Sequence, residues 1–325
     1  MPRRRVGGTA AAIACLLFAA ANAAETTAAG AAESSSAAGS TGTSGPTGTS
    51  GSITAADSKC DAPSEDCVKV GTWSLSVALG AGVRTNPVVD GRDIPLVVVP
   101  QFSYYGKRFF IDNLDPGVTL FDGESNTLSL VASPGYDRVF FYRSDLQNIF
   151  AFSPTSFTGG YTTYFKRPQP SLQAQAPAAF REVPRPARKV TYLAGPEWTF
   201  KHGKLSGQLD YLHEITGRTH GNEIRAALGL PLGSVLGGSI NARAGFTWKS
   251  TATVNYYYGY PGLYRAGWVL NPFVKLGYSK DLSSQWRFDA FAHLERLGNA
   301  ISDSPIVDRH YVTTAFIGAT YVFHK

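Results

Sequence analysis

The chain has 325 residues, enough for one large domain, and 17% of them are charged against roughly 25% in typical soluble proteins. Its net charge is +6, but without Arg3, Arg4 and Arg5 only 27 basic residues face 24 acidic ones, a balance that argues against a nucleic-acid partner. The remaining features are 43% hydrophobic residues, 12% aromatic residues and 34 glycines, with no apolar run of 18 residues. This composition is typical of a transmembrane β-barrel.

The N-terminus has the three parts of a secretory signal. Arg3, Arg4 and Arg5 form a positive segment, residues 10–20 form an apolar run, and Ala21-Asn22-Ala23 offers the small residues of a cleavage site. The apolar run is shorter than the roughly 20 residues that span a bilayer. We therefore predict that residues 1–23 are a signal peptide, cleaved after Ala23.

The following stretch, residues 24–67, begins with a run of Ala, Gly, Ser and Thr that cannot bury a core. We predict a disordered periplasmic tether here. Cys60 and Cys67 lie within it, in a compartment that is oxidising, so the sequence predicts a disulfide between them. The alternative is a metal site, but two thiolates without a nearby histidine provide too few ligands.

From residue 68 onward the hydrophobic pattern has a period of two. Around Trp73 every second residue is apolar and the intervening residues are small or polar, and the same alternation returns near Trp248 and Trp286. Strands with lipid on one face and a polar lumen on the other produce this pattern. The sequence therefore predicts that residues 68–325 form an antiparallel transmembrane β-barrel.

Twelve strands are expected, an even number, as in bacterial outer-membrane barrels. The predicted segments are 69–85, 94–105, 107–112, 117–122, 125–137, 189–202, 204–214, 218–231, 237–250, 264–278, 284–298 and 310–323. Ten strands remain an alternative, because the links 113–116 and 214–218 are short for outer loops and 231–237 is long for a periplasmic turn.

Short and long connections alternate along the barrel sequence. The short ones lie at 106, 122–124, 202–203 and 279–283, and the long ones at 86–93, 138–188, 251–263 and 299–309. Outer-membrane barrels have short periplasmic turns and longer outer loops. The alternation thus predicts a periplasmic N-terminus and a cell outer-membrane location in a Gram-negative bacterium.

The longest connection, residues 138–188, is rich in proline and ends in a basic run. Pro168, Pro170 and Pro177 precede the sequence from Arg181 to Lys189. One interpretation is a surface or lumen-plugging loop that presents positive charge. The other, which we favour here, is a solvated excursion without a core.

Charges on the inward face have mixed sign and define the candidate chemistry. Predicted lumenal residues are Arg243, Lys249, Lys275, Arg287, Asp289 and Glu295. They either line a narrow pore or close it by pairing. Hydrolase candidates are His213, His220, His293, His310, Asp210, Asp289, Asp303 and Ser304. Because no Gly-x-Ser-x-Gly nucleophile motif occurs, we favour a lumenal hydrogen-bond network and predict neither catalysis nor a metal or cofactor.

The closing segment, residues 316–323, places aromatic residues at alternate positions and ends in a phenylalanine. Gly318, Tyr321 and Phe323 resemble the signal by which barrel assembly machinery recognises its clients. In physical terms this is an amphipathic edge strand that can pair with an open sheet. His324 and Lys325 follow the phenylalanine, which departs from that pattern.

Several motifs resemble the MipA/OmpV family of MltA-interacting outer-membrane proteins. The most specific is Asp303-Ser304-Pro305-Ile306-Val307, and weaker matches are Tyr256–Gly259, Gly135–Arg138, Gly80–Val83 and the closing Tyr321–Phe323. The resemblance covers roughly residues 70–323. The tether, the cysteine pair and the segment 138–188 depart from it.

The resemblance implies a scaffold of the cell envelope rather than an enzyme. The protein after which the family is named is similar to an adaptor that brings a lytic transglycosylase and a murein synthase together at the outer membrane. The expected partners are therefore these two enzymes, membrane lipid and the barrel assembly machinery. A small porin or channel is the alternative function, and an outer-membrane hydrolase is a third.

Overall fold

The computed structural model describes residues 71–142 and 188–324. Twelve strands run through them in chain order: β1 (Thr72–Arg84), β2 (Ile94–Tyr105), β3 (Phe109–Asp112), β4 (Asp115–Asp122), β5 (Asn126–Pro134), β6 (Tyr192–His202), β7 (Leu205–Glu214), β8 (Asn222–Val235), β9 (Gly238–Lys249), β10 (Val269–Asp281), β11 (Trp286–Arg296) and β12 (Tyr311–His324). Each strand pairs antiparallel with its neighbours in sequence, and β1 pairs with β12 to close a barrel. The predicted fold class, with twelve strands rather than ten, is confirmed.

Strand β1 shows why this sequence forms a barrel wall. Trp73, Leu79 and Val83 are exposed on one face, whereas Ser76 and Ala78 are buried on the other. Successive residues of a strand point to opposite faces, and a membrane barrel exposes its apolar face to lipid. The period of two in the sequence therefore separates a lipid-facing surface from a polar lumen.

Short turns join the strands at the end of the barrel where β1 begins. The β8–β9 turn consists of Leu236 and Gly237, both with positive φ, as in the two-residue turns that match the twist of a hairpin. Strand β8 continues to Val235 with an irregularity between Pro231 and Gly233. The long turn expected over 231–237 is therefore a hairpin end, which removes one of the reasons to consider ten strands.

The β3–β4 hairpin is much shorter than the other pairs of strands. Strand β3 has four residues, and only Ser103–Tyr105 of β2 pair with it. At the tip of the hairpin the Asn113 side chain accepts a hydrogen bond from the Phe102 amide and so takes the place of a further ladder bond. The link over 113–116, which is short for an outer loop, is therefore the tip of a short hairpin.

Long connections meet at the opposite end of the barrel and form a cap, defined here as residues 85–93, 135–142, 250–268 and 297–310. It contains the 3₁₀ helix Tyr136–Phe140, the helix α1 (Thr251–Tyr258) and the short helix α2 (Asn299–Ser302). Its apolar core, with the adjoining strand ends, consists of Val88, Val139, Phe140, Val254, Tyr257, Tyr258, Tyr260, Ala266, Val269, Leu297, Ile301, Ile306, Val307 and Val312. Four separate parts of the chain thus share one core above the barrel.

Helices make up little of the described structure and lie in the cap. None of the helices in residues 71–142 and 188–324 is long and apolar enough to cross a membrane.

Candidate functional site: the capped lumen

The lumen is lined by the charged side chains that the alternation predicts. Lys249, Lys275 and Asp289 are buried. Arg243 lies six residues from buried Lys249 on β9, and Arg287 lies two residues from buried Asp289 on β11, so each shares the inward face of its strand. Arg287 pairs with Asp289 at 3.0 Å. Part of the lumenal charge is therefore neutralised by local pairing. This agrees with the interpretation in which the lumenal charges pair with one another rather than line an open pore.

Carboxylates cluster on one wall of the lumen. Asp112, Asp115, Glu197 and Asp210 come from β3, β4, β6 and β7 and lie close enough to interact electrostatically. The Gln208 amide donates to Glu197 at 2.8 Å and to Asp210 at 2.9 Å, which links the two strands. Four carboxyl groups from four strands therefore share one part of the inner wall.

Arg225 on β8 balances this wall and connects it to the cap. Its guanidinium lies 3.1 Å from the Glu223 carboxylate and donates to the Ser133 hydroxyl at 2.8 Å. The same group lies 5.3 Å from the Tyr136 ring, and the Tyr136 hydroxyl donates to Asp115 at 3.4 Å. The start of the 3₁₀ helix is thereby bonded to the barrel wall.

A buried ion pair holds the middle of the 3₁₀ helix. The Lys249 ammonium lies 2.5 Å from one oxygen of Asp137, and the Tyr258 hydroxyl donates to the other oxygen at 2.8 Å. Burial and the adjacent carboxylate raise the pKa of Tyr258 well above its usual range, so its hydroxyl remains a donor. We call these three residues the latch, because they tie the 3₁₀ helix to β9 and α1.

Two arginines stack on aromatic rings of the cap. The Arg84 guanidinium lies 4.6 Å from the Phe140 ring, and that of Arg188 lies 4.4 Å from the Phe141 ring. Arg188 also donates to the Tyr257 carbonyl at 2.6 Å. Desolvated cation–π contacts of this kind contribute about 2 kcal/mol each. These two contacts hold the chain in the cap on both sides of residues 143–187, at Phe140 and Phe141 before them and at Arg188 after them.

A cavity of about 90 Å³ lies directly below the 3₁₀ helix. Its walls are contributed by Arg84, Tyr136, Asp137, Phe140, Gln208, Asp210, Glu223, Arg225, Ala226, Ala227, Thr247, Lys249, Phe273, His293, Glu295 and Leu297. Both the carboxylate wall and the basic residues of β1 and β11 reach it. The cavity can hold several water molecules or a small polar group.

A sequence profile of the family described as MltA-interacting protein MipA matches residues 79–323. The chain belongs to the MipA family. No protein with a curated description matches the chain.

Three of the five motifs that suggested this family meet in the cap. Asp137 of Gly135–Arg138 accepts the hydrogen bond of Tyr258 from Tyr256–Gly259. Ser304 of the Asp-Ser-Pro segment donates to the Tyr258 carbonyl at 2.6 Å. In this MipA-family barrel the motifs are therefore parts of one structure, and Tyr258 is bonded to both of the others.

Several solved structures are similar to this chain at low sequence identity. A loop L8 deletion mutant of OmpT, an outer membrane protein of Vibrio cholerae, is 10% identical, with 78% of this chain and 100% of that one covered and a TM-score of 0.32. A porin refined at 1.8 Å is 11% identical over 78% and 100%, with a TM-score of 0.30. The CymD monoaromatic hydrocarbon channel is 9% identical over 79% and 90%, with a TM-score of 0.31.

The hydrolase candidates are scattered over the MipA-family barrel. Ser304 and Asp303 lie in the cap, whereas Asp210, Asp289 and His293 point into the lumen. His213, His220 and His310 are exposed, and the His213 imidazole is bonded to Asn222 at 2.8 Å. Within residues 71–142 and 188–324, no hydrogen bond joins one of these histidines to Ser304 or to one of these aspartates, as nucleophilic catalysis would need.

The cysteine pair Cys60 and Cys67 predicted a disulfide, with a metal site as the alternative. Within residues 71–142 and 188–324, no three His, Cys, Asp or Glu side chains are arranged to hold a metal ion. Cys60 and Cys67, the predicted disulfide, lie outside the described residues.

The predicted assembly signal lies on β12 at the seam with β1. The Tyr321 ring packs edge-on against the rings of Trp286 and Phe323, and Phe323 is exposed on the lipid face. Gly318 faces Gly80 across the seam, and the Phe316 ring covers both. Recognition by the assembly machinery remains a prediction, and the contacts show that Gly318 also has a local packing role.

Sequence reasoning missed the chemical role of Asp137 and the carboxylates Asp112 and Asp115. Asp137 entered only as part of a family motif, because nothing near it in sequence indicates a partner 112 residues away. Asp112 and Asp115 lie in a short hairpin where alternation is too brief to assign a face. The ends of the segment 138–188 are also better defined than a solvated excursion, since Val139, Phe140 and Arg188 are buried; residues 143–187 lie outside the described part.

Proposed function

We propose that the chain is a non-enzymatic outer-membrane scaffold whose lumen is closed by its own cap. The observation that carries this proposal is the latch, which holds the 3₁₀ helix in the barrel mouth with a buried ion pair. Breaking such a pair leaves an uncompensated buried charge and costs about 3–5 kcal/mol. A barrel built in this way is suited to anchoring partners rather than to passing solutes.

The partners we propose are murein enzymes, a lytic transglycosylase and a murein synthase. The description of the family, MltA-interacting protein, supports this. We place the N-terminus and the short turns in the periplasm and the cap outside, by the usual asymmetry of such barrels. The periplasmic face then presents the exposed residues Lys107, Arg108, Lys201 and Lys204.

Conductance in planar bilayers tests whether the lumen is closed. We expect the purified full chain to insert without a steady open current at neutral pH, because the cap fills the mouth. A steady current of constant amplitude would overturn the closed-lumen part of the proposal and favour a small channel. The channel alternative has one observation in its favour, since a twelve-stranded barrel is wider than the eight-stranded barrels that side chains fill.

Capture of murein enzymes from a detergent extract tests the scaffold role. We expect the full chain to retain a lytic transglycosylase and a murein synthase, and Lys204→Glu in the exposed β6–β7 turn to weaken capture several-fold. Arg218→Glu is the matched control, because Arg218 is equally exposed but lies in the β7–β8 loop at the capped end. Equal effects of both variants would contradict the orientation, and absence of both enzymes would remove the scaffold role.

A further inference from the structure

The outer surface of the barrel carries exposed aromatic residues near both ends. They are Trp73, Trp198 and Trp286 at the short-turn end and Tyr211, Trp268 and Tyr311 at the capped end. Membrane barrels have such aromatic girdles at the two membrane–water interfaces. The two groups therefore mark the levels at which the outer surface meets the lipid headgroups.

Arg296 is a charged residue on this lipid-facing surface, at the level of the aromatic residues of the capped end. It is exposed on the same face of β11 as Leu294 and is paired in register with Tyr311 on β12. It follows Trp286 by ten residues on β11. With a rise of about 3.3 Å per residue and a strand tilt of about 40°, the two residues differ in height by about 25 Å, the height of the apolar band. When Trp286 lies at one interface, Arg296 therefore lies at the other.

A groove of about 370 Å³ lies beside Arg296, between the start of β10 and the start of α2. Its walls are contributed by Trp268, Val269, Leu270, Pro272, Arg296, Gly298, Asn299 and Ala300. Among these described lining residues, only Arg296 and Asn299 have polar groups beyond the ring of Trp268, and none carries a carboxylate. We call this feature the rim groove. It combines an apolar wall with one positive charge.

Hydrogen bonds and one close approach hold the two sides of the rim groove together. The Gly298 amide donates to the Asn271 side-chain oxygen at 2.9 Å, and the Tyr264 hydroxyl donates to the Ala300 carbonyl at 3.1 Å. An added Cβ at Gly298 would lie 2.5 Å from the Val269 side chain, so the backbone there lies directly against β10. The groove is thus formed before anything binds, which lowers the cost of ordering it on binding.

Within residues 71–142 and 188–324 the Arg296 side chain forms no ion pair or hydrogen bond. A guanidinium presents its donors as a planar fork that matches the oxygens of a phosphate, and phosphate is the anionic group found at the level of the headgroups. We propose that the rim groove binds one anionic phospholipid, with its phosphate on Arg296 and an acyl chain along Trp268, Leu270 and Pro272. The proposal depends on the membrane position of the barrel and not on the scaffold role.

Native mass spectrometry of the full chain, released from detergent, tests the site. The protein is titrated with phosphatidylglycerol and, separately, with phosphatidylcholine of the same acyl chains, which carries no net charge. We expect one molecule of phosphatidylglycerol to be retained in a saturable manner and phosphatidylcholine to bind about tenfold more weakly, as for the loss of one charge-assisted interaction. Equal retention of the two lipids, retention of neither, or retention that does not saturate would overturn the proposal.

Variants of Arg296 test the contact with the headgroup. We expect Arg296→Gln to lower the affinity for phosphatidylglycerol to that for phosphatidylcholine, and Arg296→Lys, which keeps the charge but not the fork, to retain part of the preference. Arg218→Gln is the matched control, because Arg218 is also exposed at the capped end but lies in the β7–β8 loop, outside the groove. Equal losses in Arg218→Gln and Arg296→Gln would show that the preference comes from general surface charge.

Variants of tryptophan test the contact with the acyl chain. We expect Trp268→Ala to weaken the binding of both lipids several-fold, because it removes one wall of the rim groove. Trp286→Ala is the control, since Trp286 is an exposed aromatic residue on the same outer surface at the opposite end. The shift in gel mobility on heating checks that each variant forms a barrel. Equal effects of the two tryptophan variants would contradict the assignment to the groove.

Discussion

At the residue scale, the close approach of β1 and β12 at the seam depends on a position without a Cβ atom. Gly318 is an inward residue whose missing side chain allows β12 to approach β1. A Cβ at this position would lie 2.5 Å from the Leu79 carbonyl oxygen and 2.7 Å from the Phe316 ring. The first of these contacts is to backbone, which a rotamer change cannot relieve.

We therefore expect Gly318→Ala to lower the free energy of unfolding by about 1–3 kcal/mol, the range for overpacking. Urea unfolding followed by tryptophan fluorescence measures the effect. The control is Gly277→Ala, since an added Cβ at Gly277, inward on β10, has no atom within 4 Å, and removing a strand glycine there is expected to be neutral or slightly stabilising. Equal losses in the two variants would show that the seam contact is not the cause.

At the scale of elements, the latch makes the position of the 3₁₀ helix depend on one ion pair. We expect Asp137→Asn to leave Lys249 buried without its carboxylate and to release the helix, so that the amides of residues 136–140 exchange with deuterium at least tenfold faster. Hydrogen exchange read by mass spectrometry measures this.

The double variant Asp137→Asn/Lys249→Met separates the charge from the packing. It removes the uncompensated ammonium, and replacement of a buried pair by apolar groups is often neutral. We expect exchange in the double variant to return most of the way to that of the original chain. Exchange as fast as in Asp137→Asn alone would mean that the ion pair does not hold the helix.

Strands were predictable from the sequence, whereas the cap was not. The alternation around Trp73, Trp248 and Trp286 is imposed by lipid on one side, so each strand carries its own local signal. The helix α1, with its sequence Thr-Ala-Thr-Val-Asn-Tyr-Tyr-Tyr, has no such signal, since it becomes helical by packing in the cap core rather than by intrinsic preference. The same holds for Asp137, whose partners Lys249 and Tyr258 are more than 100 residues away.

At the scale of the whole molecule, the described residues form a meander of hairpins with a cap at the end opposite the short turns. The short-turn end needs little beyond local turn chemistry, as Leu236 and Gly237 show. The capped end combines residues from 85 to 310 into one apolar core with a charged lower surface. Three of the family motifs lie at this end, whereas Gly80–Val83 lies in the wall on β1 and Tyr321–Phe323 lies near the other end on β12.

The pairing of β1 with β12 joins the first strand of the barrel to the last. Hairpins between neighbouring strands can form early, because their loops are short, but the closing ladder must bring together segments separated by more than 220 residues. The cap core includes Val88, just after β1, and Val312 on β12, so it can only form once that ladder exists. A folded cap therefore indicates that the barrel has closed. In a chain that stalls before the last strand inserts, we expect no core at that end, and proteases can cut connections that are protected in the closed barrel.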